Sequence, residues 1–393
     1  MHDVIFIGME LWGPVWRRSH HLMAGYARRF PERKVLFVAL PIDVSHGVRT
    51  GRREVLAQAQ RPVLPVRVEG FTNLYTVRPV KWLPDSLPGG RRFNQSVARA
   101  QVRRAARQLH LQRPLLWIKP YWGAHFAGRM GECIVLYDVG DDWTTIRQSV
   151  RAMRWAVRED QELTQRADAV LVVSEDLYHR KRALRNEVFL VPNGVDAPHF
   201  AAVWQRTLLP HPITSGWQRP VLGYTGMLHA ERFDMELTIA LARRMPQATL
   251  ALVGPNLLDA TQTARLAAEP NIRLTGPVSY EELPRVMTAF DVCIAPSRIN
   301  AFSESQNPLK LWEYLASGLP AVATPVNGFR DYPELVYLAS TPEAFAAGID
   351  AALHEAPDLP ARRQQAVREQ TWEARLDTIQ QIVRRITTKH STR

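Results

Sequence analysis

Short apolar runs alternate with helix-length segments through almost all of the 393 residues, and this alternation restricts the fold more than any other feature. Strands buried on both faces read as continuous Val, Ile and Leu runs, and helices between them make parallel crossovers. In the first half, the runs predict strands at Val4 to Ile7, Val35 to Leu40, Leu74 to Val77, Leu115 to Ile118, Val135 to Tyr137, Ala169 to Val173 and Val188 to Val191. Helices are expected near 19–30, 92–110, 150–166 and 176–184. A second series runs from Val221 through Thr249 to Val253, Ile272 to Leu274, Val292 to Ala295 and Ala321 to Ala323. Between the two series lie the turn-forming Pro192-Asn193-Gly194-Val195-Asp196 and a stretch with three prolines up to Arg219. The length suits two cores of about 200 residues. The expected plan is α/β, with two doubly wound, Rossmann-like domains at 1–195 and 221–370 joined by a linker at 196–220. An amphipathic helix is expected at 371–388, through Trp372, Leu376, Ile379, Ile382 and Val383.

The densest chemistry lies in residues 300–324. Asn307-Pro308 starts a helix and Gly318-Leu319-Pro320 stops it. Lys310 and Glu313, three apart, then share one face near a helix N-terminus, where free N–H groups and the macrodipole favour phosphate oxygens. This pairing suits a nucleoside diphosphate, with Lys310 for phosphate and Glu313 for ribose hydroxyls. A solvated ion pair is the plainer alternative. Gly223-Tyr224-Thr225-Gly226-Met227 ends the first strand of the second series, where Gly226 allows a phosphate to approach backbone. Arg232, just downstream, is a candidate bidentate partner for a pyrophosphate.

Charge is divided unevenly. Of the net +12, residues 1–195 hold 31 Lys and Arg against 18 Asp and Glu, and the remainder 19 against 20. Arg92, Arg99, Arg103 and Arg107 fall on one stripe of the helix near 92–110, opposite an apolar face. Two readings of this stripe stand side by side, a solvated amphipathic helix and attraction to an anionic membrane surface. Nucleic acid is disfavoured because no zinc, helix-turn-helix or RNA-recognition signature accompanies the charge. The amino terminus lacks the basic start of a signal peptide, no run approaches the roughly 20 apolar residues of a membrane span, and Cys133 and Cys293 read as buried thiols. A cytoplasmic protein, peripheral at the inner membrane face, is the expectation.

Asn307-Pro308-x-Lys310-x-x-Glu313-Tyr314-x-Ala316-x-Gly318-x-Pro320 resembles the donor-site helix of GT-B-fold glycosyltransferases of the family 4-like group. It is similar to the version in teichuronic acid glycosyltransferases and exopolysaccharide glucuronosyltransferases. Pro192 to Asp196 resembles the segment between the two domains of such enzymes, and helix 371–388 would cross back onto the first domain. The resemblance implies a nucleotide sugar as substrate, a hydroxyl acceptor on a lipid-linked or growing polysaccharide, no cofactor and no bound metal. In the broader family a glutamate stands eight positions before the one matching Glu313; here that position is Ser305.

In the first domain, Asp138, Asp141 and Asp142 follow an apolar strand and are expected to face the cleft, where crowding would raise one pKa toward that of a general base. The resemblance favours Asp142 and then Asp138 as base, and His125 as a histidine near the transferred sugar. A metal site and helix capping before Thr144 are the alternatives for the carboxylates. Trp12, Arg17 and His21, in and after the loop following the first strand, are candidates for acceptor contact, and Arg99 and Arg103 for the membrane. Rival readings are a sugar-nucleotide 2-epimerase and a non-catalytic partner of a polysaccharide complex. A nicotinamide dehydrogenase is disfavoured because GxGxxG is missing from both first strands.

Overall fold

The computed structural model describes residues 1–146, 149–205 and 207–391. The first lobe contains β1 (Val4–Ile7), β2 (Val35–Val38), β3 (Ile42–Asp43), β4 (Val66–Arg67), β5 (Leu74–Val77), β6 (Val80–Lys81), β7 (Leu115–Ile118), β8 (Ile134–Val139), β9 (Ala169–Val172) and β10 (Val188–Leu190). Its main sheet has the order β10-β9-β8-β7-β1-β2-β5-β4. Neighbours are parallel except β4 against β5. The second lobe holds β11 (Val221–Thr225), β12 (Thr249–Val253), β13 (Ile272–Gly276), β14 (Val292–Ala295), β15 (Ala321–Ala323) and β16 (Tyr337–Leu338). They form one parallel sheet, β13-β12-β11-β14-β15-β16. The central strands β1, β7, β11 and β12 are buried along their whole length because helices cover both faces.

Each sheet reverses its winding once, at β1/β7 and at β11/β14, and the carboxyl ends of the strands there open a crevice. The two crevices face each other, which makes the cleft.

The chain passes between lobes at Val191–Asp196 and returns before Trp372, where Val195 bridges to Thr371. A Cβ on Gly194 would lie 2.8 Å from the carbonyl carbon of Thr371, so the two passes touch where only glycine fits. The helix Trp372–Ser391 then packs Trp372, Leu376, Ile379, Ile382, Val383 and Ile386 into the first lobe, against Leu22, Met23 and Tyr26 of the helix Arg18–Arg29. Close approach is possible because Gly25 has no side chain: a Cβ there would sit 2.7 Å from Leu376 Cδ1.

Two features depart from the sequence expectation. Part of the supposed linker is the helix Ala197–Trp204, capped by Asp196 accepting from the His199 N–H at 3.3 Å and burying Phe200 and Val203 in the second-lobe core. The strand pair β3/β6 and the helices Val44–Arg49 and Arg53–Ala59 are elements that the apolar runs did not predict.

Candidate functional site

The second lobe contributes the helix Leu309–Ser317, whose left-handed stop is Gly318 at φ 75°. Pro308, with φ −65°, sits one position before the helix as its cap rather than within its first turn. Lys310 and Glu313 both line the cleft. The Lys310 ammonium rests 3.9 Å from the centre of the Tyr224 ring. Burial pushes the Glu313 carboxyl up to about 7, with Lys310 pulling the other way. Gly226, at φ 137°, turns the chain out of β11, and its N–H is spent on Val253 O at 2.8 Å. Any phosphate contact at this turn must therefore use neighbouring groups. Asn307 lines the cleft and also ties the lobes together: its side-chain oxygen accepts from the Asn193 N–H at 2.9 Å and from Trp312 Nε1 at 3.0 Å.

Arg232 reaches across the cleft to Asp141 Oδ2 at 3.4 Å. Its guanidinium lies 4.8 Å from the Phe302 ring centre and 5.6 Å from that of Trp143, and its Nε is buried without a partner among the described residues. Gln306 Nε2 donates to the other Asp141 oxygen at 2.6 Å.

The three clustered carboxylates are not equivalent, which corrects the expectation that all face the cleft. Asp138 is buried in a bidentate pair with Arg18, at 3.1 Å from Nε to each oxygen, and also accepts from Trp117 Nε1 at 3.1 Å. Asp142 turns away: it accepts from the Thr144 N–H at 3.0 Å and pairs with Arg180, the capping role before Thr144. Only Asp141 lines the cleft. Ser305 is also outside it, fully buried, with its hydroxyl donating to Phe302 O at 2.8 Å and accepting from the Asp142 N–H at 3.2 Å.

His125 occupies a separate pocket of the first lobe, where burial lowers its pKa to about 3 and its Nδ1 has no partner among the described residues. His21 is packed rather than presented, stacked on Trp372 at 4.7 Å, with its pKa lowered to about 3 by burial. Trp12 packs against His20 and Phe37 at 5.0 and 5.2 Å and does not line the cleft, whereas Arg17 does. Arg99 and Arg103 lie on the helix Gly90–Gln108 and do not line the cleft, and Arg103 Nε donates to the Arg129 carbonyl at 2.7 Å.

Glu10 and Lys119 escaped the sequence reading, although both follow strands at the winding reversal of the first sheet, which is the signal that would have found them. They pair at 3.1 Å in the cleft, and Lys119 also donates to Ser19 at 3.0 Å. Burial alone would raise the Glu10 pKa, but Lys119, Ser19, His20 and Arg17 outweigh it and hold the carboxylate down at about 2. His20 stays neutral, its pKa lowered to about 4 by burial against the pull of Glu10. No cluster of three or more potential metal-ligating side chains occurs among the described residues.

The cleft thus sets a lysine, an arginine and a carboxyl on one lobe against a carboxylate and an ion pair on the other. Residues 219–355 match the family model described as glycosyl transferases group 1. The second lobe is a glycosyl transferases group 1 domain. Lys310, Glu313, Gly226 and Arg232 all fall within this group 1 domain. TuaH of Bacillus subtilis (strain 168), provisionally named a teichuronic acid biosynthesis glycosyltransferase, is 31% identical over 202 residues, 48% of this chain and 50% of that protein. The chain therefore spans about half the length of the curated relative it matches. Among solved structures, HepE from Anabaena in complex with UDP and glucose is similar over 98% of this chain and 99% of that one, with a TM-score of 0.66 and 15% identity. The catalytic domain of starch synthase IV from Arabidopsis thaliana, bound to ADP and acarbose, is similar over 98% and 99%, with a TM-score of 0.64 and 10% identity. At these identities the likeness carries the fold, which is GT-B.

Proposed function

We propose that the chain is a glycosyltransferase that moves a sugar from a nucleoside-diphosphate sugar, held by the group 1 domain, to a hydroxyl acceptor on the first lobe during assembly of a cell-surface polysaccharide. The observation that carries this reading is Lys310 and Glu313 in one cleft with the Arg232–Asp141 pair. Lys310 and Arg232 would neutralise the leaving diphosphate at the N-terminus of the helix Leu309–Ser317, and Glu313 would accept from the ribose hydroxyls. Asp141, the one of the three carboxylates that lines the cleft, would take the acceptor proton once Arg232 has turned from it to the diphosphate, in place of Asp142 and Asp138, which do not line the cleft. The name given to TuaH and the nucleoside diphosphates bound to HepE and to starch synthase IV support this choice of chemistry.

With two cations at the diphosphate position, the reaction would need no divalent ion, so turnover should survive excess EDTA; its loss on chelation and return with Mg²⁺ would refute that part. No described helix is long and apolar enough to cross a membrane, and a peripheral position on the inner membrane face is the matching proposal. The deciding experiment is a thermal-shift screen of nucleotide sugars: a donor present at 100 times its Kd should stabilise the protein by about 2.7 kcal/mol. Lys310→Ala should lower turnover of that donor by about 10² to 10³ while the protein stays folded. Stabilisation by no nucleotide sugar would overturn the reading.

A further inference from the structure

A second pocket, of about 470 Å³, opens in the first lobe beside the cleft. Its walls are mostly apolar and aromatic, with Tyr121, Trp122, Phe126, Ala98 and Trp155 among them. The polar groups at its margin are largely matched to each other: Lys81 bridges Asp43 and Asp85 at 2.9 Å each, and Arg91 pairs with Glu159 while lying 4.8 Å from the Trp155 ring centre. It shares a wall with the cleft, since the Leu40 N–H bonds Glu10 O at 3.3 Å, and Lys119 and Tyr121 are two residues apart.

The surface around this pocket is unusual for a water-soluble face. The segment leading into the helix Gly90–Gln108 exposes Trp82, Leu83 and Leu87, and the first turn of that helix exposes Phe93, the last two at 48% and 49%. The helix Val150–Arg166, whose Ala152 and Trp155 line the pocket, carries two outward stripes at i, i+3, i+7. Val150, Met153 and Val157 make one and are exposed; Arg151, Arg154 and Arg158 make the other, exposed as well. An apolar helix face that the protein leaves unburied, flanked by arginines and set around the same pocket as a loop presenting Trp82 and Leu87 and a helix turn presenting Phe93, matches an anionic bilayer in both polarity and charge.

We propose that this face lies on an anionic membrane, with Leu87, Phe93, Val150 and Met153 in the headgroup boundary, and that the adjoining pocket takes the aliphatic chain of a membrane-borne acceptor. The proposal rests on the glycosyltransferase reading for what happens in the cleft, and adds where the acceptor comes from. A chain lodged between the helices Gly90–Gln108 and Val150–Arg166 would hold its headgroup beside Glu10 and Lys119.

Vesicle flotation and native mass spectrometry with farnesyl phosphate test the two halves, and thermal stabilisation by a nucleotide sugar reports separately on the cleft. Wild type should float with phosphatidylglycerol vesicles and not with pure phosphatidylcholine. The double variants Leu87→Glu/Phe93→Glu and Val150→Glu/Met153→Glu, all at exposed positions, should lose at least tenfold in vesicle affinity yet keep the nucleotide-sugar shift. Ala98→Phe, which narrows the pocket, should weaken farnesyl phosphate binding by a similar factor; if that variant misfolds, as loss of the nucleotide-sugar shift would reveal, Trp155→Ala serves in its place. Vesicle binding indifferent to anionic lipid or to the glutamates would overturn the membrane face, and farnesyl phosphate binding unaffected by the pocket variants would overturn the pocket.

Discussion

Glu313 combines burial with a ligand-facing position, and its raised pKa makes donor binding depend on pH. Below about 7 the free protein holds the neutral acid, so a ligand that needs the carboxylate must first displace a proton. Nucleotide affinity should fall by up to about tenfold per pH unit below that point. Calorimetric titrations between pH 5.5 and 8 should show the slope in wild type and a flat profile in Glu313→Gln. For stability the sign is opposite: the folded state binds more protons than the unfolded one between 4.5 and about 7, so Glu313 costs stability as pH rises through that window. Lys310 and Glu313 were legible in the sequence because Pro308 and Gly318 mark the helix that aligns them. The choice among Asp138, Asp141 and Asp142 was not legible. It depends on distant partners, Arg18 for the first and Arg180 for the last, which no local spacing encodes.

Among the elements, the strands were the most readable, because β1 and β7 are uninterrupted apolar runs and β12 is apolar after Thr249. The helix Ala197–Trp204 was hidden by the prolines around it, though Asp196 and Pro198 are a cap and a first-turn proline. The helix Trp372–Ser391 was visible as an apolar stripe, but its docking site was not, since Gly25 shows its purpose only once Leu376 is against it. Leu376 is 5% exposed, so Leu376→Ala should cost about 2–5 kcal/mol in urea unfolding, with the loss assigned to the first lobe by hydrogen exchange.

The lobes touch through more than the connecting chain. Trp16 stacks on Tyr280 with ring centres 5.3 Å apart, the Tyr280 N–H bonds Pro14 O at 2.8 Å, and Arg232 meets Asp141. The cleft they border is about 260 Å³, and domain closure and opening around a donor would act through these contacts. Tyr280→Ala should therefore give a larger radius of gyration by X-ray scattering without ligand, returning toward the wild-type value when nucleotide saturates the site; an unchanged radius would argue that Tyr280 does not hold the lobes together. The docking of Trp372–Ser391 has a further consequence for how the protein is made. Its six buried side chains belong to a core whose other members are translated before residue 192, so a nascent chain leaves the ribosome with Leu22, Met23 and Tyr26 uncovered until the helix Trp372–Ser391 emerges. That interval is when chaperone capture and aggregation compete with maturation, and ribosome-stalled chains ending before Trp372 should be the protease-sensitive ones.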